Sequence, residues 1–354
     1  MFFSRAERGF SLLELMIGTL IGLMGLTWVT QIYLQNQSAQ RTTISEGGVN
    51  SGGTYATSML ERDLRMAGFG IQQTSALNCP TLTSVTPNIT IAPAIITQGA
   101  GNLSDSLTIL SSGNNDRPLP SALTAAVQGN QLVLSSTAGL NAQDILLIVP
   151  QSNGTPCALV QVNAAPSLTQ QITLTPNLLS LTGALPNYQV ADSVFSLGPL
   201  TAQASRSPLT LRTYDVDVTN AQLRARDLLV ANTLLPIADG ILNLQAEYAF
   251  DNGTNNGTIS ATTYVANDGI VDQYSVNTPT TAAQWLQLLG VRFALLVRIG
   301  NEEKPNAAGQ CTTPTTPLNY FTNQVFTIPT GLPCYRYRVF ETIVPLRNAL
   351  WRPA

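Results

Sequence analysis

The chain has 354 residues, of which 44% are hydrophobic and only 10% charged, with a formal net charge of −3 and no histidine. That length admits one large lobe or two smaller ones. Without histidine, Ser-His-Asp and Cys-His catalysis and histidine metal ligation are excluded. Lys304 is the only lysine, it follows Glu303, and no phosphate-binding Gly-rich loop surrounds it. The weakly negative balance gives no general affinity for nucleic acid. The composition argues against an enzyme and for an extracytoplasmic, β-rich body with long loops, and nothing in it calls for a cofactor.

The first element is a short leader, Met1–Gly9, carrying Arg5 and Arg8, followed by an apolar stretch from Phe10 to about Leu34 whose only charge is Glu14. As a helix this stretch is long enough to cross a hydrocarbon core of ~30 Å. The two arginines keep the leader cytoplasmic and send the remainder outward. A secretory signal places its small residues after the apolar core; here the small residue, Gly9, precedes it. Cleavage after Gly9 leaves the helix on the mature protein, takes the net charge from −3 to −4 as Arg5, Glu7 and Arg8 depart, and creates an α-amine on Phe10 close to Glu14. An ionisable group in such a helix is expensive and a functional candidate. Helices packed side by side pair each Glu14 with a neighbour's amine, and each charge compensates the other.

Gly9-Phe10-Ser11-Leu12-Leu13-Glu14-Leu15 resembles the class III signal of type IV pilins and type II secretion pseudopilins. The resemblance implies that a prepilin peptidase cuts after Gly9, that Phe10 becomes the methylated mature N-terminus, and that Glu14 guides subunit docking. The implied organisation is a leader at 1–9, a transmembrane and filament-core helix at 10–34, its outer half at 35–70, and an extracytoplasmic body at 71–354.

Past the membrane segment the helix is expected to continue to about Met66, with Tyr55, Met59, Leu60 and Leu64 at the spacing of a packed face. Gly47-Gly48 and Gly52-Gly53 interrupt it, each glycine weakening the helix by about 1 kcal/mol relative to alanine; a hinge, a bend and a break between two helices all fit. Glu61-Arg62-Asp63-Leu64-Arg65-Met66-Ala67-Gly68-Phe69 is a charged helix end that Gly68 closes in the left-handed conformation. The block also resembles a stretch of PilW-like minor pilins and of the type II secretion minor pseudopilin J.

Residues from about Cys79 to Asn130 read as loop-rich. Strands are expected at Gln131–Leu134, Ile145–Val149, Gln171–Leu174 and Leu209–Tyr214, separated by Gly, Asn, Pro and Ser. Leu242, Leu244, Ala246, Tyr248 and Phe250 alternate as one face of a half-buried strand, and Val291, Phe293, Leu295 and Val297 do likewise after a short helix at Ala282–Leu289. A last strand runs near Tyr335–Val344, ended or placed at an edge by Pro345. Trp285 and Trp351 read as core or interface anchors. Gly240–Phe250 with the following Asp251, Val291–Arg298 and Val339–Asn348 resemble C-terminal blocks of PilW-like proteins.

Cys79, Cys157, Cys311 and Cys334 contain no Cys-x-x-Cys pair, so a zinc ribbon is disfavoured, and an even count in an exported body points to disulfides. Three connectivities exist; Cys79–Cys157 with Cys311–Cys334 is favoured, each bridge contributing ~2–4 kcal/mol. Asp251, Asp268 and Asp272 are weak calcium candidates, since turn chemistry explains Asp, Asn and Gly in such loops equally well. Arg336, Arg338, Arg347 and Arg352 read as a solvated face.

The fold expected is α+β, type IV pilin-like: a long N-terminal helix, transmembrane in its first half, packed on antiparallel β-sheet. The resemblance implies a minor pilin that initiates pilus assembly at or near the tip. Its implied partners are other minor pilins, the major pilin, the prepilin peptidase, the inner-membrane assembly platform and a tip adhesin. It is expected as a single-pass bacterial inner-membrane protein with a periplasmic body before assembly, and in the pilus afterwards. A J-like pseudopilin of type II secretion and a tip adhesin subunit are the alternatives; the C-terminal blocks favour the pilus.

Overall fold

The first described element is one uninterrupted helix, α1 (Leu12–Met66), of 55 residues. The computed structural model describes residues 12–350 except 72–73, 78, 80–81, 83–88, 114–116, 118, 152–154, 165, 167–169, 176–184, 204–205, 252–268, 301, 304, 306–307, 312–317, 323, 329–331 and 333, with side chains undescribed at 34–51, 74–75, 231–232 and 349–350. Both glycine pairs stay within the helix backbone, so neither breaks it. At the second pair the reason is contact. A Cβ on Gly53 would stand 2.5 Å from the Phe340 ring, and one on Gly52 3.1 Å from the Asp239 carbonyl oxygen. Glycine lets the helix approach the sheet.

That approach sets the phase of the buried face. Ala56, Leu60, Leu64 and Ala67 are fully buried, whereas Tyr55 is 53% exposed. The packed row is therefore 53-56-60-64-67; it contains Leu60 and Leu64 of the expected face but not Tyr55. One position along a helix rotates a side chain by about 100°, and the small residues at 53 and 56 carry little hydrophobic signal. Gly53→Leu is expected to push α1 off Phe340 and lower stability by about 1–3 kcal/mol, read as a lower urea midpoint; an unchanged midpoint would contradict the close-approach role.

The elements after α1 are α2 (Thr74–Leu77), β1 (Ala94–Thr97), β2 (Ser106–Ser111), β3 (Ser121–Ala122), β4 (Gln131–Val133), β5 (Asp144–Val149), β6 (Ala158–Gln161), β7 (Gln171–Thr173), β8 (Ser193–Pro199), β9 (Thr210–Asp217), β10 (Gln222–Asp227), β11 (Ala231–Asp239), β12 (Ile241–Phe250), β13 (Gln273–Ser275), α3 (Ala282–Leu286), β14 (Leu288–Ile299), β15 (Leu318–Tyr320), β16 (Gln324–Phe326), β17 (Arg336–Pro345) and α4 (Arg347–Leu350). Two sheets carry α1: a four-stranded one ordered β13-β12-β14-β17 and a five-stranded one ordered β1-β2-β9-β10-β11. Their shared core includes Leu60, Leu64, Ile109, Tyr214, Leu244, Tyr248, Phe293 and Leu295. A second four-stranded sheet, β3-β8-β5-β6, builds another core with Ile71, Leu110, Leu147, Phe195 and Leu211. Because β2 and β9 feed both cores, the five-stranded sheet joins them.

Three expectations need correction. The stretch read as loop-rich between Cys79 and Asn130 holds β1, β2 and β3; these strands are short, and the outward positions of β2 are Ser106, Thr108 and Ser111, which imitate loop composition. Next, β12 and β14 are not half-buried. Ala294, Leu296, Tyr320 and Phe326 form a further cluster on the face away from α1, beneath the β15–β16 hairpin. Leu242 belongs to that face because the register shifts between Ile241 and Asn243, as a bulge does. Finally, the short helix ends at Leu286, and Leu288 already belongs to β14. Its start is well specified: Thr281 and Gln284 form a reciprocal capping box.

The remaining expected strands lie close to their sequence positions, and Pro345 closes β17 at the edge of its sheet. Trp285 is buried, 6.1 Å from Tyr248 in an edge-on arrangement; Trp351 and Arg352 lie outside the described residues. Disulfides join Cys79 to Cys157 and Cys311 to Cys334. The first ties the segment after α2 to β6 across the second core, and the second brackets the β15–β16 hairpin.

Candidate assembly helix and its joint with the body

The N-terminal part of α1 is a bare apolar rod. Leu12–Tyr33, 22 residues, is long and apolar enough to cross a membrane, and none of it is buried against the body. At 1.5 Å per residue it spans about 33 Å, matching a hydrocarbon core of ~30 Å. Leu12 is 78% and Trp28 73% exposed. The hydroxyls of Thr19, Thr27 and Thr30 donate back to the carbonyls of Met16, Met24 and Leu26, so these polar groups are satisfied inside the helix, as lipid or a packed filament core demands.

Glu14 lies in the first turn and is exposed. A carboxylate there complements the partial positive charge of the helix N-terminus, and it is the only ionisable side chain between Leu12 and Tyr33. Gly9 and Phe10 lie outside the described residues.

The other end of α1 is fastened to the sheets by a polar lock around its apolar row. Asp63 Oδ2 accepts from the Tyr214 hydroxyl at 2.6 Å and from Arg212 Nη1 at 2.8 Å. Arg62 Nε reaches Oδ1 of the same carboxylate at 3.0 Å. Burial pushes the Tyr214 hydroxyl above its ordinary range, and the Asp63 charge adds to the shift. Burial opposes the Arg212 charge, but Tyr214 and Asp63 outweigh it. The phenol therefore stays protonated and donates. Glu61 pairs with Arg65 one turn on and accepts from the Thr342 hydroxyl of β17.

The last turn is closed from outside. The Asn348 side-chain amide donates to the carbonyls of Met66 and Ala67 at 3.2 and 3.0 Å, satisfying acceptors that a helix end leaves open. Gly68 adopts φ +73°, and its N–H donates to Leu110 O at 2.8 Å, which is the left-handed cap expected of it. The charged block thus makes local pairs and also locks helix to sheet. Its partners Arg212, Tyr214, Thr342 and Asn348 carried no sequence signal for this role; only the alternation of the strands holding the first three was legible.

Of the calcium candidates, two are described. Asp251 is 2% exposed, and its Oδ2 accepts from the Gly269 N–H at 2.8 Å. Asp272 meets Phe250 through its backbone N–H, and Asp268 lies outside the described residues. Among the described residues no three His, Cys, Asp or Glu side chains gather in a group able to hold a metal. Arg336 and Arg338 lie exposed on β17, Arg336 paired with Glu303 and Arg338 over the Phe340 ring.

Comparison with known proteins places both ends of this architecture. Residues 213–348 match the family model described as Type IV Pilus-assembly protein W, and residues 4–30 match the Prokaryotic N-terminal methylation motif. No curated protein and no solved structure matches the chain. The first match runs from within β9 to Asn348, so it takes in the sheet that carries α1, the hairpin over it and the residue that closes the helix. The second covers the leader and most of the exposed apolar helix. A prepilin-type N-terminus, a 55-residue helix and an antiparallel β body whose 213–348 stretch matches this family support a PilW-like type IV pilus minor pilin.

Proposed function

We propose that the chain acts with other minor pilins to initiate type IV pilus assembly and sits at or near the tip. The observation that carries this reading is the exposed apolar helix with Glu14 as its only ionisable side chain, locked at its far end to the body. The methylation motif and the apolar helix fit anchoring in the inner membrane before assembly. In the proposed sequence the prepilin peptidase cuts after Gly9 and the new Phe10 amine is methylated. Glu14 then aligns with the N-terminal amine of a neighbouring pilin, where two charges that are costly alone in an apolar setting neutralise each other. The Asp63 lock and the row from Gly53 to Ala67 make helix and body move together, so docking of the helix orients the body toward its partners. The role is structural and not catalytic.

Glu14→Ala is expected to leave processing intact and to lower the amount recovered in sheared filaments several-fold, measured by immunoblot against the membrane pool. Wild-type recovery would remove Glu14 from the assembly role. A deletion strain separates the two filament systems: loss of surface filaments with intact exoprotein secretion supports a pilus-initiating subunit, and the reverse assigns the chain to type II secretion as a pseudopilin.

A further inference from the structure

A cavity of about 350 Å³ opens between the β1–β2 connection, β12 and the β15–β16 hairpin. It lies on the face of β12 opposite α1, away from the assembly helix. Gln98, Asn102, Gln245, Glu247 and Gln324 line it, and their hydrogen bonds fix what they present. Gln245 Nε2 donates to Leu103 O and to Asn243 Oδ1, both at 2.8 Å. The Asn243 oxygen is assigned by its own amide nitrogen, which donates to Asn102 O. Gln98 Nε2 donates to Asp105 Oδ2 and Ala246 O. An amide nitrogen has two protons, so in Gln98 and Gln245 both are used within the protein and the carbonyl oxygen is the group left for a ligand. Gln324 Nε2 gives one proton to Glu247 Oε1 at 2.8 Å, which leaves one donor and one acceptor.

The charges are neutralised internally. Glu247 is paired with Arg292, whose guanidinium lies between the rings of Tyr274 and Phe321, 3.5 and 4.2 Å from their centroids. Phe321 holds φ +50°, unusual for a side chain of that size, with its N–H donated to Glu341 Oε2 at 2.9 Å. Backbone strain of this kind persists where surroundings over-determine it and clusters at ligand clamps. The Cys311–Cys334 bridge encloses the hairpin that forms this wall. At the mouth, Val276 and Val325 are 43% and 50% exposed.

We propose that this cleft binds a neutral, hydroxyl-rich ligand, a saccharide unit. Acceptor oxygens beside the second amide protons of Gln324 and Asn102 match sugar hydroxyls, the neutralised Glu247–Arg292 pair gives no net charge for an ionic ligand, and the two valines meet the C–H face of a pyranose ring. An apolar ligand would strand the amide oxygens unpaired, which is costly. The inference is independent of the assembly role.

The test is saturation-transfer NMR on the full chain in a detergent without a sugar headgroup, with free glucose, galactose, mannose and N-acetylglucosamine as probes and methylammonium as the cationic comparison. At least one sugar is expected to receive saturation. Val325→Trp, which fills the mouth without touching the amide network, is expected to abolish that signal, and Gln245→Met to reduce it several-fold. Val190→Trp, an exposed position outside the cleft, is expected to leave it unchanged. No transfer to any of the four sugars, transfer to methylammonium alone, or a sugar signal that survives Val325→Trp would each overturn the proposal.

Discussion

Gly9→Trp is expected to leave the chain as an unprocessed precursor with near-complete loss from sheared filaments. The proposed leader carries Arg5 and Arg8, which favour the cytoplasmic side, and the apolar stretch of the sequence runs on from Phe10. A peptidase working at that boundary must accommodate the residue before the cut, and glycine presents no side chain. With the leader retained, Phe10 has an amide nitrogen in place of a free amine, so a neighbour's Glu14 loses its countercharge on this subunit. An unpaired carboxylate in an apolar setting costs several kcal/mol, enough to exclude the subunit from a packed helical core. Mass spectrometry of the membrane-extracted chain reads the first effect and immunoblotting of sheared filaments the second. A mature N-terminus at Phe10 in Gly9→Trp would refute the cleavage assignment. Glu14→Ala, cleaved normally but poorly incorporated, separates processing from docking.

The N-terminal apolar helix and its motif were legible because their signals are local. A lone charge in an apolar run, a glycine before it and a glycine at the far cap are each read within a few residues. What the sequence hid was long-range. Asp63 reaches Arg212 across a separation of 149 residues, and nothing near Asp63 distinguishes it from a surface charge on a charged helix end. On α1 the expected Leu60 and Leu64 are packed but Tyr55 is not, because the first turns of the packed face are set by Gly53 and Ala56, which contribute contact geometry and little hydrophobicity, while Tyr55 supplies a strong but misleading apolar signal. Alternation in β12 and β14 identified the face against α1; the opposite face is closed by β15 and β16, a hairpin drawn from a distant Pro- and Thr-rich stretch. The polar cleft was invisible for the same reason, since its amides come from three separated segments and become selective only through the partners that use up their protons.

The β3-β8-β5-β6 sheet offers the other large effect. Asp144 is fully buried at the start of β5, and Arg206, 10% exposed, grips it with two hydrogen bonds of 2.6 and 3.0 Å. The carboxylate also accepts from the Asn141 N–H at 2.9 Å. Arg206→Ala removes the countercharge while the carboxylate stays enclosed, and is expected to cost about 3–5 kcal/mol, against a total stability of about 5–15 kcal/mol for a typical protein. Arg206→Lys keeps the charge but loses the two-pronged geometry, so its urea midpoint should fall between wild type and Arg206→Ala. The double change Asp144→Leu with Arg206→Met removes both charges and is expected to recover most of the loss, because an apolar pair of similar volume avoids the desolvation of two ions. Arg206 Nε is buried and has no hydrogen-bond partner among the described residues, which adds to the reason for that recovery. If Arg206→Ala and the double variant lose equal stability, shape and not charge compensation holds this region together. Since Asp144 and Arg206 precede the 213–348 family match, the measurement also tests whether the second core contributes to the stability of the matched sheet or stands apart from it: one shared unfolding transition means that the β2–β9 ladder couples the two, and separate transitions mean that it does not.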